Sequence, residues 1–502
     1  MAELIRDHAT RPIPLRDGTL AQLPVAIKRP GYDRSTLTPG IVHIGLGNFH
    51  RAHQAWYLHT LMQRGLAHDW AVIGASVRQD DSAQRERLAQ QDYLTTLIEL
   101  DPAATSAEVV GSIIDYLPIE SGHGALIQKM SDPAIRIVSL TVTEGGYFLD
   151  PATKRFDPGH PDILHDAENL LAPRTAFGAI VAALAARRAE GDGPFTCQSC
   201  DNLPGNGTIL REVVTGLARL ADPALAGWIE AEVSFPNSMV DCIVPATGSK
   251  EVAQAHALGI ADEAPVTHEN FRQWVVEDDF CAGRPPYELV GATLSSRVHE
   301  FEAQKLRLLN GGHQIIAAPA ETLGIATIAE AMDHPLVRAF FRKVALTEIV
   351  PHVAEVPGTT PAQYVELIEQ RFANPVIHDT VRRVAYDGSS RQTGAVLPAI
   401  RDAIAHGTPL DGLALSQALW ARMCLGMRED GSTIEPNDPV WDDLTEAAEG
   451  ARHKPQIWLE QRHFYGDLAD DSAFTAAFAR WFRRLGEEGV EATLDAYAGD
   501  GL

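Results

Sequence analysis

The stretch HIGLGNFHRAHQA, residues 43–55, decides how the fold is read. Gly45 and Gly47 stand where an apolar run gives way to helical spacing. At such a junction, glycines let the backbone turn tightly and approach a pyrophosphate resting on free N–H groups of a helix start. A dinucleotide fingerprint would carry a third glycine, and here His50 occupies that place. Gly-x-Gly also recurs by chance in ordinary strand-to-helix loops, so the surroundings have to decide.

Outward from this turn the N-terminal half alternates between two periods. GIVHIGLG is a short β-branched run, and FHRAHQAWYLHTLMQRG continues it at helical spacing. WAVIGASV from Trp70, IRIVSLTV from Ile135 and FTCQSCDN from Phe195 read as further buried strands, the last preceded by the helix-like RTAFGAIVAALAARR. Nearly continuous apolar strands separated by helices predict a parallel sheet covered on both faces. Between the second and third of them, YLTTLIELDPAATSAEVVGSIIDYLPI reads as strands around a turn. Beyond about residue 295 the pattern is helical, as in HPLVRAFFRKVALTEIV, PAQYVELIEQRF and LSQALWARMCLG. The expected class is α/β: a Rossmann-type N-terminal domain over 1–292, then a mostly α-helical substrate-binding domain over 293–502. The junction falls near CAGRPPYELVGA, and neither an internal repeat nor a low-complexity tract is found.

Length and composition agree with this division. A chain of 502 residues is too long for one compact core. With 45% hydrophobic and 22% charged residues it reads as an ordinary globular protein. A formal charge of −25 argues against nucleic acid and against anionic membrane as partners, since both demand a surplus of Lys and Arg. The first twenty residues hold no apolar run of signal-peptide length, and FGAIVAALAA is half as long as a bilayer span. Five thinly spread cysteines suit a reducing compartment, so a cytoplasmic protein is expected.

If the glycine turn holds a dinucleotide, a carboxylate for the ribose belongs after the second strand, in WAVIGASVRQDD. Asp80 is the candidate, with Asp81 second and Gln79 beside it; the bland alternative for Asp80 is a solvated loop acid. Arg78 leaves NAD against NADP open, because an arginine there could accept a 2′-phosphate.

A second informative stretch is EFEAQKLRLLNGGHQIIAAPAE. It places Lys305, Asn310 and His313 on a predicted helix with Gly311 and Gly312 inside it. Two glycines cost a helix roughly 2 kcal/mol relative to two alanines, so a close approach of backbone or ligand is expected there. Asn310 and His313 are three apart and share a face, with Lys305 rotated about 80° from His313. A polyhydroxylated chain laid along the helix could touch all three. Each also has a bland reading: surface lysine, capping asparagine, satisfied core histidine.

GLGNFHRAHQA, TVTEGGY (141–147), SCDNLPGNG (199–207), FPNSMVDCIVP (235–245), KLRLLNGGH and DGSSRQ (387–392) occur in this order. Together they resemble the polyol-specific long-chain dehydrogenases, the mannitol 2-dehydrogenase family, over residues 40 to 460. In that family the segment after Gly-x-Gly commonly reads Phe-His-Arg-Ala-His, so His50 belongs to its version of the turn. The resemblance implies metal-independent, NAD-linked oxidation of a secondary alcohol. Lys305 matches the general base, and Asn202 and Asn310 match the pair that hydrogen-bonds the reacting oxygen. His313, Asp241, Arg383 and Arg391 match substrate contacts, although Arg382 adjoins Arg383 and a lysine is common at the place of Arg391. Gly45, Gly47, Asn48 and Phe49 fall with cofactor binding, as does Glu144, which also matches an acid near the catalytic lysine.

The chemistry stands beside the resemblance. Hydride loss from a carbinol carbon develops negative charge on its oxygen, so a base must take the proton. A lysine, with an ordinary pKa of about 10.4, serves once burial and neighbouring cations bring it to about 7–8. Two asparagine amides aimed at the oxygen act as an oxyanion hole, worth about 3–4 kcal/mol per donor in the best-studied case. Zinc is the rival route, but Cys197 and Cys200 have no second ligand pair at suitable spacing and read as structural. The expected partner is a small polyol or keto-sugar, and the family implies a monomer or weak oligomer. D-mannitol to D-fructose leads, with D-arabinitol or a keto-uronate such as fructuronate as alternatives. From another class, a non-catalytic NAD sensor would keep the glycines without needing a base and an oxyanion pair.

Overall fold

The computed structural model describes residues 11–499 apart from 151, 152 and 154. The chain divides into two compact units, the first ending at His299 and the second beginning at Glu300. The strand Thr293–Leu294 pairs with Gln273–Val276, which keeps these residues with the first unit, past the 292/293 junction expected from sequence.

The first unit is built on five parallel strands. In chain order they are Pro39–Ile44, Ala71–Ala75, Ile113–Tyr116, Ile137–Leu140 and Thr196–Ser199, arranged in space as 3-2-1-4-5. The first strand sits centrally, with His43 opposite Gly74 on one side and Ser139 on the other. The second, fourth and fifth strands are buried along their whole length, which explains the nearly continuous apolar reading of the second and fourth, while the fifth buries Thr196, Gln198 and Ser199 as well. On one face Val42, Ile44, Val138 and Leu140 pack with Phe177, Ile180 and Leu184 of the helix Ala176–Glu190. That helix is capped by Thr175, whose hydroxyl accepts from Gly178 N, and ends on Gly191 at φ 79°. On the other face Ile41, Val72 and Ile137 pack with Leu58 and Met62 of Gln54–Gln63. The order reverses direction between the first and fourth strands, the switch point at which open α/β sheets bind ligands.

The stretch read as strands around a turn is the antiparallel pair Thr95–Leu100 and Ser106–Val110, followed by the third sheet strand. The helical run after Gly47 is interrupted. A short helix, Asn48–Ala52, stops at His53 (φ −117°, ψ −92°) before Gln54–Gln63 begins. The His53 ring bonds Gln273 O, which ties the break to a neighbouring strand.

Among its described residues the second unit is helical, with isolated bridges in place of extended strands. Asp411–Met423, buried nearly throughout, packs against Gly311–Thr322 and Ser472–Glu488. Trp420, Trp458, Phe340, Phe341 and Phe474 fill the surrounding core. Three π-helical segments interrupt this unit: Lys305–Asn310, Ala345–Ile349 and Gln392–Val396. No described helix is long and apolar enough to cross a membrane.

Candidate functional site

In the first unit a cleft of about 460 Å³ opens at the switch point. The glycine turn, Ser76–Arg78 after the second strand, and Thr141–Thr143 after the fourth line it, with Thr175–Phe177 at the start of a helix. Gly45 takes φ 91°, and a Cβ there would lie 2.1 Å from Thr141 O. Its glycine is therefore demanded by the neighbouring strand end. At Gly47 the nearest atom to an added Cβ is Gly45 O at 3.8 Å, so that position borders open space. Gly47 is also the N-cap of Asn48–Ala52, and no side-chain hydrogen bond caps the helix start. Asn48 lines the cleft and is braced by Thr247 Oγ1 at 2.9 Å and by Arg51 at 2.7 Å.

Two expected cofactor positions, Phe49 and Asp80, lie outside the cleft lining. Phe49 is outside the cleft lining and stacks on His53 with ring centroids 4.9 Å apart. His50 and Arg51 are interior residues, each 1% exposed. The His50 ring stacks on His43 at 3.4 Å, and burial holds its pKa well below the usual histidine range. Arg51 donates to Ala264 O and Asn48 Oδ1, so it fastens the short helix instead of facing the cleft. Asp80 points outward, with its side chain 88% exposed, and is absent from the lining. Asp81 lines the cleft instead, accepting from Ser76 Oγ. The 3-10 turn Gln79–Asp81 causes this exchange, because it brings the second of two adjacent acids back beneath the strand end. The side chain of Glu144 lies outside the described residues.

One wall of the cleft is held by Asp201, which no sequence motif singles out. Thr143 has φ 69° and ψ 160°, a conformation that is essentially glycine's and costs a β-branched residue about 1–3 kcal/mol. The Asp201 carboxylate accepts from Thr143 N at 2.8 Å, Val142 N at 3.1 Å and Tyr147 OH at 2.7 Å. Burial raises the Asp201 pKa, and these three donors oppose that rise. In the sequence Asp201 stands in SCDN, directly before Asn202, and has no pattern of its own.

Asn202 follows in the loop after the fifth strand, at the same end of the sheet as the cleft. The buried Asn206 orders that loop, donating to Asp201 O at 3.0 Å and Ser238 O at 2.8 Å. Asp241 ends the strand Ser238–Asp241 and is 5% exposed. Cys197 and Cys200 are buried free thiols whose pKa values burial pushes up. The described residues contain no cluster of three metal-ligating side chains.

In the second unit Lys305 and Asn310 are the first and last residues of a π-helical segment. The expected 80° rotation assumed α-helical spacing and does not apply, because bonding here runs from i to i+5. Lys305 is buried, and Asn310 makes no capping bond. Gly311 and Gly312 open the next helix. A Cβ on Gly312 would meet Phe341 Cε2 at 2.6 Å, whereas one on Gly311 would stay 3.6 Å from Ala395 O. Close packing of a neighbouring side chain thus accounts for Gly312.

His313 lies between Phe372 and the pair Asp379–Arg383. Burial lowers its pKa to about 4, with Asp379 opposing and Arg383, Arg371 and Arg391 reinforcing the shift. Its Nε2 is buried and has no hydrogen-bond partner among the described residues. Arg383 grips Asp379 with two bonds of 2.7 Å, and Arg391 donates to Val384 O at 3.2 Å. Arg382, its neighbour, turns instead to Pro436 O. Asp379 precedes the helix Val381–Ala385 and its N-cap Thr380, so only its spacing of four from Arg383 marks the pair in the sequence. Arg371 and Phe372 come from the end of Pro361–Phe372 and carried no local signal.

Residues 39–289 match the mannitol dehydrogenase Rossmann domain, and residues 297–485 match the mannitol dehydrogenase C-terminal domain. A protein of Cereibacter sphaeroides named mannitol 2-dehydrogenase is 54% identical over 93% of this chain and 98% of its own. One of the same name from Pyricularia oryzae is 38% identical over 96% and 97%. Among solved structures, the Pseudomonas fluorescens mannitol 2-dehydrogenase in ternary complex with NAD and D-mannitol superposes with TM-score 0.86, at 38% identity, over 97% of this chain and all of that one. A substrate-free D-sorbitol dehydrogenase gives TM-score 0.89 at 33% identity, over 96% of this chain and all of its own.

Proposed function

The chain belongs to the mannitol dehydrogenase family, and we propose that it is an NAD-dependent polyol dehydrogenase that oxidises D-mannitol to D-fructose. The observation that carries the cofactor is the switch-point cleft, where Gly47 leaves open space beside a helix start that no side-chain hydrogen bond caps. Those residues fit a dinucleotide. Gly47 and Asn48 would hold the pyrophosphate at the helix start, and Asp81, poised by Ser76, would take the ribose hydroxyls in place of Asp80. NAD, when bound, supplies the acceptor for the hydride. The relatives named mannitol 2-dehydrogenase, and the solved complex with NAD and D-mannitol, support this choice of substrate and cofactor.

In this reading Lys305 takes the hydroxyl proton at Nζ. Asn310 and Asn202 donate through their amides to the oxygen as its negative charge grows. His313, neutral at pH 7 and with its Nε2 buried without a hydrogen-bond partner among the described residues, donates to or accepts from a substrate hydroxyl. Asp241 and Arg391 bind further hydroxyls, and Arg383 does so from its clasp on Asp379.

A panel of D-mannitol, D-sorbitol, D-arabinitol and fructuronate, assayed with NAD(H) and NADP(H), tests the reading. D-mannitol with NAD is expected to give the highest kcat/KM. A higher value for fructuronate reduction would reassign the substrate to the keto-uronates. Cofactor binding without turnover of any of them would favour a sensor.

A further inference from the structure

We infer that Asp201 is a positioning residue, a three-pronged clamp that fixes the wall of the nucleotide cleft against the loop bearing Asn202. The inference rests on the proposed use of NAD and adds to it a residue that neither the glycine turn nor the oxyanion pair accounts for. Two chain segments meet at this carboxylate. One is Thr141–Tyr147, which follows the fourth strand and of which Thr141, Val142, Thr143 and Gly146 line the cleft. The other is the loop after the fifth strand, whose next residue is Asn202.

The geometry is specific to a carboxylate. Oδ1 takes Thr143 N, and Oδ2 takes both Val142 N and Tyr147 OH. Acceptance of three donors by two oxygens is within the capacity of an ionised acid, whereas an amide in its place would turn its own N–H hydrogens toward at least one of them, whichever way it is flipped. Tyr147 is fully buried, and its hydroxyl also meets Ser199 Oγ at 2.6 Å, so it cannot swing away to another partner. The carboxylate's own backbone is pinned in turn, because Asp201 O accepts from Asn206 Nδ2 at 3.0 Å.

Thr143 shows what the clamp does. A threonine left to itself would leave φ 69°, ψ 160° for the ordinary β region. Two adjacent amides drawn onto one carboxylate hold it there, and with it the direction in which the cleft wall runs. Strain of this kind persists only where the surroundings over-determine it. Released, the wall relaxes and the cleft loses its shape beside Val142 and Thr143.

The test compares Asp201→Asn, Tyr147→Phe and the double variant Asp201→Asn/Thr143→Gly with the unaltered protein. Two measurements are made: NADH affinity by fluorescence, and hydrogen exchange at the Val142 and Thr143 amides without cofactor. Asp201→Asn is expected to lose amide protection and to bind NADH at least tenfold more weakly, with circular dichroism unchanged. Tyr147→Phe should show a smaller loss of the same kind. Glycine at 143 adopts positive φ freely, so the double variant should regain part of the affinity without regaining amide protection. A folded Asp201→Asn protein with unaltered protection and affinity overturns the clamp, as does a double variant no better than the single one. Should Asp201→Asn fail to fold, Tyr147→Phe decides by the same two measurements. If the unaltered protein does not bind NADH, the proposed cofactor fails, and the exchange pattern alone still decides the clamp.

Discussion

His313 stacks on Phe372 with ring centroids 4.1 Å apart, while its Nε2 stands 3.9 Å from Asp379 Oδ2. The aromatic face excludes water from the imidazole, and this desolvation outweighs the nearby carboxylate in lowering the pKa from 6.5 to about 4. The unfolded chain therefore binds this proton in a range where the folded protein does not. Stability is fully present above about pH 6.5 and falls as the pH drops toward about 4, by at most about 3–4 kcal/mol from this ring. His43 and His268, each lowered to about 3 by burial, extend the loss to more acid conditions. The urea midpoint should fall between about pH 7 and about pH 4.5, and less so in His313→Asn. An equal fall in the two proteins would show that the buried imidazole is not responsible.

Lys305→Ala should reduce polyol oxidation by several orders of magnitude at neutral pH while leaving NADH binding intact, because the base acts on the alcohol and not on the cofactor. Turnover near the original rate from about pH 7 to about pH 10 would remove Lys305 from that role.

Alanine at Asn310 or Asn202 is expected to lower kcat about 10²–10³-fold with a lesser rise in KM, since charge on the oxygen is greatest in the transition state. A change in KM alone would place these amides among the ground-state contacts.

The two adjacent acids after the second strand should separate cleanly. Asp81→Ala removes the cleft carboxylate and is expected to raise KM for NAD roughly tenfold or more, a charged hydrogen bond being worth about 1.5–3 kcal/mol. Asp80→Ala, on the surface, should leave KM for NAD unchanged. Steady-state kinetics with varied NAD distinguish them, and equal effects would count against the assignment.

Gly311→Ala and Gly312→Ala should move stability in opposite directions. At Gly311 a methyl group meets only ordinary contacts and gains up to about 1 kcal/mol of helix propensity. At Gly312 it collides with Phe341 in a packed core, a cost of about 1–3 kcal/mol. Denaturant midpoints read the difference, and a stabilised Gly312→Ala would mean that Phe341 repacks freely.

Much of the fold was legible because burial on both faces leaves a plain trace. Ala71–Ala75 and Ile137–Leu140 have almost no polar side chain, as expected of parallel strands covered on both faces. The features that escaped depend on contacts made far along the chain. The break at His53 exists because its ring finds Gln273 O, 220 residues away. The π-helical segment at Lys305 has no compositional mark, so ordinary helical spacing misplaced its side chains relative to one another. Asp80 and Asp81 differ only by a turn of 3-10 geometry, finer than any hydrophobic period can indicate. Asp201 was hidden by its neighbour, since a buried acid beside an asparagine has no pattern until the amides it holds are known.

The two glycines of the opening turn differ in what they can say about ancestry and use. Any descendant of this chain must keep glycine at 45 even if it abandons its ligand, because the end of the adjoining strand occupies the place of a side chain. Position 47 is under no such obligation from the scaffold. A variant that carries a bulky residue at 47 while retaining 45 would mark a protein that has kept the architecture and given up the nucleotide.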